Sequence, residues 1–277
     1  MNGTIYVLPR GGFGKLLFNY MIGKSLAKEY GMNLAFVSGY HCGMRKHMKE
    51  YDMFKGLTFV DKPSKNSQRI CETFYPYSPV VIPDRTKDYV LDGYFQSFRY
   101  SSGHMKELKS AILEHPFYSP VSKQYADYSK GMETVLLHVR RGDYLNLPDV
   151  HPVLPDEYYR QALEGLKGDF MIIVVSDDIE FVKNWGLLCE YKHIIVDIPD
   201  PEKCFILMTM CTHFIIANSS FSLLAFYFRE NADAQLFLPD PWFGNSGPKY
   251  KLDDMAEMTD KTHVIRYKQT IIRSSSR

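Results

Sequence analysis

No Asp-x-Asp pair occurs anywhere in the 277 residues. Such pairs hold a divalent ion against a diphosphate, so any charge that must be stabilised falls to cationic side chains and helix N-termini. The formal net charge is only +1, which removes the electrostatic case for a nucleic-acid partner. The five cysteines, Cys42, Cys71, Cys189, Cys204 and Cys211, include no Cys-x-x-Cys spacing. An odd, unpaired set argues against a disulfide framework and a structural zinc site. It fits thiols that fill apolar space in a reducing, cytoplasmic protein. No charged and then apolar leader follows Met1. The most apolar long stretch, residues 214–228, is interrupted by Asn218, Ser219, Ser220 and Ser222. Neither an export signal nor a transmembrane span is expected. The chain contains no internal repeat.

What is present suits a globular α/β protein. Hydrophobic residues make up 45% and charged residues 23%, ordinary values that allow one large domain or two of common size. The 20 tyrosines and 18 phenylalanines supply flat rings for a ligand, but single rings more commonly fill a core. In the first half, strands are predicted at 4–8, 33–37, 57–60 and 89–91, with helices at 15–30 and 104–114. Residues 61–84 read as an irregular connection, and 116–131 as a turn-rich boundary segment. The second half alternates regularly. Strands are predicted at 134–140, 170–175, 193–198 and 214–217, with a last one at 234–238. Helices are predicted at 156–166, 202–211 and 221–229. This order implies parallel sheets covered by helices. The domains are placed at 1–125 and 126–277, with a frayed tail at 273–277.

The stretch His138-Val139-Arg140-Arg141-Gly142-Asp143-Tyr144 follows the apolar run Val135-Leu136-Leu137. Strand alternation puts Leu136, His138 and Arg140 on one face and Leu137, Val139 and Arg141 on the other. Ligands of open α/β sheets bind outside the carboxyl ends of the strands. An arginine there is a clamp for phosphate, and Arg140 is read as gripping the diphosphate of a nucleotide-sugar. Asp143, past the strand end, is either a catalytic base or a partner for Arg141. Asp149 and His151 are further candidates for the base. His138 alone reads as a hydrogen-bonded strand residue, but its two arginine neighbours favour a ligand role.

Three more strand ends carry polar residues. Gly11-Gly12-Phe13-Gly14 joins a strand to a helix, either as a ligand-facing loop through Gly12 and Gly14 or as a plain tight turn. It fits neither G-x-G-x-x-G, whose third glycine would fall at Leu17, nor a P-loop. Ser176-Asp177-Asp178 offers carboxylates for a guanine edge, or N-caps for the next helix. Asn218-Ser219-Ser220-Phe221-Ser222 offers hydroxyls and backbone N–H groups for phosphate, or again a cap. Arg141-Gly142-Asp143 spells an adhesion tripeptide, but it follows a buried strand rather than an exported loop.

Taken in order, these motifs, with Phe18 and Asp92-Gly93-Tyr94-Phe95-Gln96-Ser97, resemble the bacterial α1,2-fucosyltransferases. The resemblance also takes in His213-Phe214-Ile215-Ile216-Ala217 ahead of Asn218. It implies a GT-B-like fold, two Rossmann-like parallel-sheet halves facing a central cleft that holds the donor. The 126–277 half would bind GDP-sugar and the 1–125 half the acceptor. It further implies inverting, metal-independent transfer from GDP-L-fucose to the 2-hydroxyl of a β-galactoside glycan. Such an enzyme would work in the cytoplasm, without a cofactor, at the inner face of the membrane. By similarity Arg140 meets the β-phosphate, while His138 and Asp177 or Asp178 lie toward the guanosine. Asn218, Ser219 and Ser220 seat the phosphates, with Gly12 and Gly14 also donor-side. Tyr94, Gln96 and Lys15 are acceptor-side. The family loop reads G-G-x-G-N-Q, whereas this chain has Lys15-Leu16 after Gly14, a departure next to the acceptor contacts. Transfer to another position (α1,6 or α1,3), another GDP-sugar, and a binding protein without catalysis remain the competing readings.

Overall fold

A computed structural model describes residues 2–40, 46–72, 77–100 and 105–269. Cys42, His104 and the tail 273–277 lie outside the described residues, as do residues 73–76 of the expected irregular connection. The chain forms two compact units. One comprises Met1–His115 with Asp254–Ala256, the other Pro116–Asp253 with Glu257–Arg277.

The first unit holds β1 (Thr4–Val7), α1 (Phe13–Tyr30), β2 (Asn33–Val37), β3 (Phe59–Val60), β4 (Gln68–Cys71), β5 (Tyr89–Asp92) and α2 (Met105–Leu113). Its sheet runs β3-β2-β1-β5-β4, with every pairing parallel. Helix α1 is buried around most of its circumference, with Leu16, Leu17, Met21, Ile22 and Leu26 among its buried residues. It ends at Gly31, whose left-handed φ of 63° closes the last turn, the conformation glycine reaches without a Cβ clash.

The second unit holds α3 (Tyr118–Ser129), β6 (Glu133–Val139), α4 (Asp156–Glu164), β7 (Phe170–Ser176), α5 (Ile179–Lys183), β8 (His193–Val196), α6 (Pro201–Thr209), β9 (His213–Ile215), α7 (Ser220–Tyr227), β10 (Leu236–Asp240) and β11 (Thr262–Arg266), while the short helix α8 (Leu252–Met255) is divided between the units at residue 254. The sheet order is β11-β10-β9-β6-β7-β8, again parallel throughout. Strand β6 is buried along all but its first residue, as expected of a parallel strand covered on both faces. Val135, Leu137 and Val139 enter the core with Tyr158, Leu163, Val182 and Trp185. The alternate residue His138 reaches Ser222 of α7 on the other face. The alternation read from the sequence therefore holds.

The second unit's sheet reverses its strand order once, between β6 and β9. The two connections leaving such a point run to opposite faces, opening a crevice at the carboxyl ends of the strands. Arg140 and Asn218-Ser219 flank this crevice, while in the first unit the glycine loop and Asp92-Gly93-Tyr94 lie at the carboxyl ends of the neighbouring strands β1 and β5.

Several expectations are corrected. Residues 61–84 contain strand β4, whose exposed, polar Gln-Arg-Ile-Cys lies at a sheet edge and shows no alternation to read. The segment read as turn-rich is largely the helix α3. Pro120 sits in its first turn, where a missing N–H costs nothing. The units divide between His115 and Pro116, ahead of 125/126. This is because α3 is tied to the second unit by Tyr125 to Thr134 and Tyr118 to Glu230. The strand at Leu236–Asp240 is not the last, because the polar edge strand β11 follows it. Of the cysteines, Cys204 and Cys211 fill the core, while Cys71 and Cys189 are exposed.

Candidate functional site

The second unit's crevice is built on Arg140. The residue leaves β6 at the switch point, with a quarter of its side chain exposed. Nη2 donates to Asp143 Oδ1 at 2.5 Å, and Nη1 lies 3.0 Å from Asp177 Oδ2. The guanidinium stands over the Tyr144 ring, 5.2 Å from its centroid. Burial opposes the charge, but Asp177 and Asp143 outweigh it and hold the group above its ordinary pKa. Arg140 Nε is buried with no hydrogen-bond partner. A planar fork fixed by two carboxylates and an aromatic face is a preorganised cation of the kind that stabilises a departing anion.

Gly142 permits this arrangement. A Cβ there would lie 2.3 Å from Asp177 Oδ2, so any larger residue displaces the carboxylate. Asp177 Oδ1 also accepts the Arg141 backbone N–H at 2.9 Å. Arg141 turns to the other face, donating from Nε to Asp178 at 3.0 Å and covering the Phe181 ring at 3.7 Å. Asp178 caps α5 through the Phe181 N–H, so the capping role is realised. Arg141 pairs with Asp178, and Asp143 pairs with Arg140.

On the facing side of the crevice, Asn218 is 2% exposed. Its amide donates to the Pro152 and Trp242 carbonyls at 3.0 and 3.1 Å. Its backbone carbonyl accepts the Tyr144 hydroxyl at 3.0 Å, which ties the ends of β6 and β9 together. Asn218 Oδ1 has no partner. Ser219 caps α7 by accepting the Phe221 N–H at 3.4 Å, and the partly exposed Ser220 is the first residue of that helix. His138 is buried, with Nδ1 2.7 Å from Ser222 Oγ. Burial, with help from Arg140, depresses its pKa to about 3, so the ring is neutral at pH 7. Of the other base candidates, Asp149 is exposed, and His151 stacks on Tyr144 at 4.7 Å with Phe243 at 5.6 Å on its ring as well.

The carboxyl ends of β1 and β5 in the first unit carry a separate constellation. Gly12 precedes α1 and accepts the Lys15 and Leu16 N–H groups, with Gly14 buried in the first turn. Lys15 Nζ lies 4.9 Å from the Tyr94 ring centroid. Arg10 stands against Tyr94 and Tyr40. Arg10 and Arg69 both pair with Asp92. Gln96 is 4% exposed, and its Nε2 has no partner. Lys15 and Tyr94 are therefore brought together, while Gln96 is buried. Sequence reasoning missed Arg10, Arg69 and Glu72, which become neighbours only through the β1, β5 and β4 pairing. Arg10 alone carried a signal, as a cation immediately before the glycine loop.

Residues 80–240 match the family described as glycosyl transferase family 11, a span of more than half the chain. The chain belongs to glycosyl transferase family 11. The resemblance read from the motifs is borne out at this level. Among other proteins, the chain is similar to the O-antigen biosynthesis glycosyltransferase WbnK of Escherichia coli. The two are 35% identical over 130 residues, 43% of each chain. It is also similar to an alpha-1,2-colitosyltransferase of Escherichia coli, 29% identical over 172 residues, 54% of this chain and 55% of that one. The chain thus spans about half the length of these relatives or less. Among solved structures, the fucosyltransferase NodZ from Bradyrhizobium aligns with a TM-score of 0.53 and 12% identity, covering 90% of this chain and 97% of that one. NodZ alpha-1,6-fucosyltransferase soaked with GDP-fucose aligns at 0.50 and 14% identity, covering 83% and 93%. At such identities the likeness establishes the fold alone, and the fold is GT-B-like α/β, as expected. Among the described residues, no helix is long and apolar enough to cross a membrane.

Proposed function

We propose that this family 11 chain moves L-fucose, with inversion and without a metal, from GDP-β-L-fucose to the 2-hydroxyl of a β-galactoside glycan. The observation that carries the reading is the Arg140 fork, fixed by Asp143 and Asp177 at a switch point of the second unit. As the bond from the anomeric carbon to the β-phosphate oxygen breaks, negative charge grows on the GDP. A guanidinium already held in place meets that charge without reorganising. Arg140 Nε, buried and unpartnered, is a further donor for a phosphate oxygen. The N-terminus of α7 at Ser219 and Ser220 supplies N–H groups and hydroxyls to the diphosphate. Asp177 and Asp178 already accept hydrogen bonds from protein donors, yet a carboxylate oxygen has capacity for a second donor. The guanine N1–H and N2–H₂ would use that capacity. His138, neutral and buried, positions the strand end through Ser222. The first unit, with Tyr94 and Lys15 paired past the ends of its strands, takes the acceptor sugar.

One observation favours a second reading. The relative with the longer match is named an alpha-1,2-colitosyltransferase, so the donor sugar would be colitose in place of fucose, with the same phosphate chemistry. Incubating the protein with each GDP-sugar and a β-galactoside, then determining the product linkage, decides between them. GDP binding with no transfer from any donor would leave only a binding protein.

A further inference from the structure

Helix α1 offers the first unit more than one face. Gly23 sets one against the sheet, where a Cβ would lie 2.8 Å from Val7 Cγ2 and 3.0 Å from Leu34 Cδ1. Ile22, Ser25, Leu26 and Glu29 recur at i, i+3, i+4 and i+7 and share another. Tyr77, Val80, Arg99 and Tyr100 wall this second face without filling it. The result is an open cavity of about 460 Å³, within the roughly 300–1,000 Å³ of small-molecule sites. Hydrogen bonds fix the wall. The Tyr100 hydroxyl accepts the Ser78 N–H at 3.1 Å and donates to the Ser78 carbonyl at 2.8 Å. Burial pushes its pKa up to about 12, so the phenol keeps its proton and both bonds. Asp254 accepts the Tyr77 N–H at 3.3 Å and pairs with Arg99, also at 3.3 Å. The Arg99 guanidinium stands over the Tyr77 ring, 5.5 Å from its centroid. Ser25 also lines the cavity, and its hydroxyl is buried with no hydrogen-bond partner.

We propose that this cavity is a second glycan-binding site, holding a neutral run of sugar units against Tyr77, the Ser25 hydroxyl and Arg99. The ligand class follows from the charges. Glu107 balances Lys28, Asp254 balances Arg99, and the exposed Glu29 adds a carboxylate. With no cation in excess, a phosphate, a nucleotide or an acidic sugar gains nothing there. A cationic ligand would face Arg99 and Lys28. A sugar ring suits what remains. Its C–H face packs on an aromatic ring. Its hydroxyls meet Ser25, both donor and acceptor, and Arg99, whose fork carries more donors than Asp254 uses. The cavity is apart from the Lys15–Tyr94 pair, since Ser25 stands ten residues beyond Lys15 on α1, about 15 Å by helical rise. It therefore takes glycan chain beyond the unit that Lys15 and Tyr94 receive. That this chain belongs to the acceptor rests on the transfer reaction proposed above.

The test compares the full chain with Ser25→Leu, which fills the cavity, and Tyr77→Ala, which removes its ring. The probes are a neutral disaccharide and a neutral hexasaccharide with the same terminal β-galactoside. By calorimetry the parent should bind the hexasaccharide about tenfold tighter or more. Hydrogen exchange on the parent should show the hexasaccharide, and not GDP, protecting residues 77–80 and 99–100. Each variant should raise the hexasaccharide KM to the disaccharide value, with kcat and the disaccharide KM unchanged. Equal affinity of the parent for the two glycans overturns the site, as does absent protection of those segments, even where a variant does not fold. Unchanged hexasaccharide KM in the folded variants overturns it too, and protection by GDP overturns the neutral-ligand assignment. If the parent transfers no sugar from any GDP donor while the hexasaccharide still protects those segments, the transfer reading fails and the glycan site stands.

Discussion

Arg140 and Asp177 meet across neighbouring strands, Nη1 to Oδ2 at 3.0 Å, just past the ends of β6 and β7. The pair exists because residue 142 has no Cβ, and it fixes the guanidinium just past the end of β6. Removing that guanidinium tests the proposed chemistry directly. Arg140→Ala should lower kcat by at least about 10²-fold, the scale for one preorganised donor. Arg140→Lys should also fail, because an ammonium cannot span Asp143 and Asp177 at once. Steady-state rates on folded protein, checked by circular dichroism, are the measurement.

Gly142→Ala should act through Asp177 without touching a ligand. The new methyl displaces the carboxylate that steadies Arg140. Misplacing a catalytic group by about 1 Å costs up to about 10²-fold in rate. A lowered kcat with near-normal thermal stability is expected, and an unchanged kcat would break the link between Asp177 and the clamp.

Chelation separates a guanidinium from a divalent ion as the charge stabiliser. Transfer measured after dialysis against a chelator should proceed at the untreated rate, and added magnesium or manganese should not raise it.

The buried His138 gives the fold a pH dependence. Its folded pKa, about 3, lies below the ordinary 6.5 because burial disfavours the charged ring. Between these values the unfolded chain binds more protons, so acid favours unfolding. The contribution is complete above pH 6.5 and declines by roughly 1.4 kcal/mol per pH unit as the pH falls toward 3. Denaturant unfolding at pH 7 and pH 5 should show the loss, and His138→Gln should flatten the slope.

Asn218→Ala should destabilise the second unit by about 1–3 kcal/mol, because the Pro152 and Trp242 carbonyls lose their buried donor. Chemical denaturation reads this, and the Tyr144 tie should survive, because it is made to the backbone carbonyl that alanine keeps.

The amino-acid order by itself determined the central strands and where they point. Val135 to Leu137 is apolar on both faces, so burial of β6 and the emergence of Arg140 at its end follow from local pattern alone. The serine and aspartate caps at Ser219 and Asp178 follow likewise from residues within three positions of each other. Tertiary structure decided what local pattern cannot contain. Strands β4 and β11 are polar edge strands, defined by their pairing partners rather than by alternation. The bracing of Arg140 by Asp177 joins residues 37 positions apart, and Glu72 reaches its backbone donors across 22 and 23. Such contacts come from strand order and sheet register, which non-local burial selects and no short window of sequence encodes.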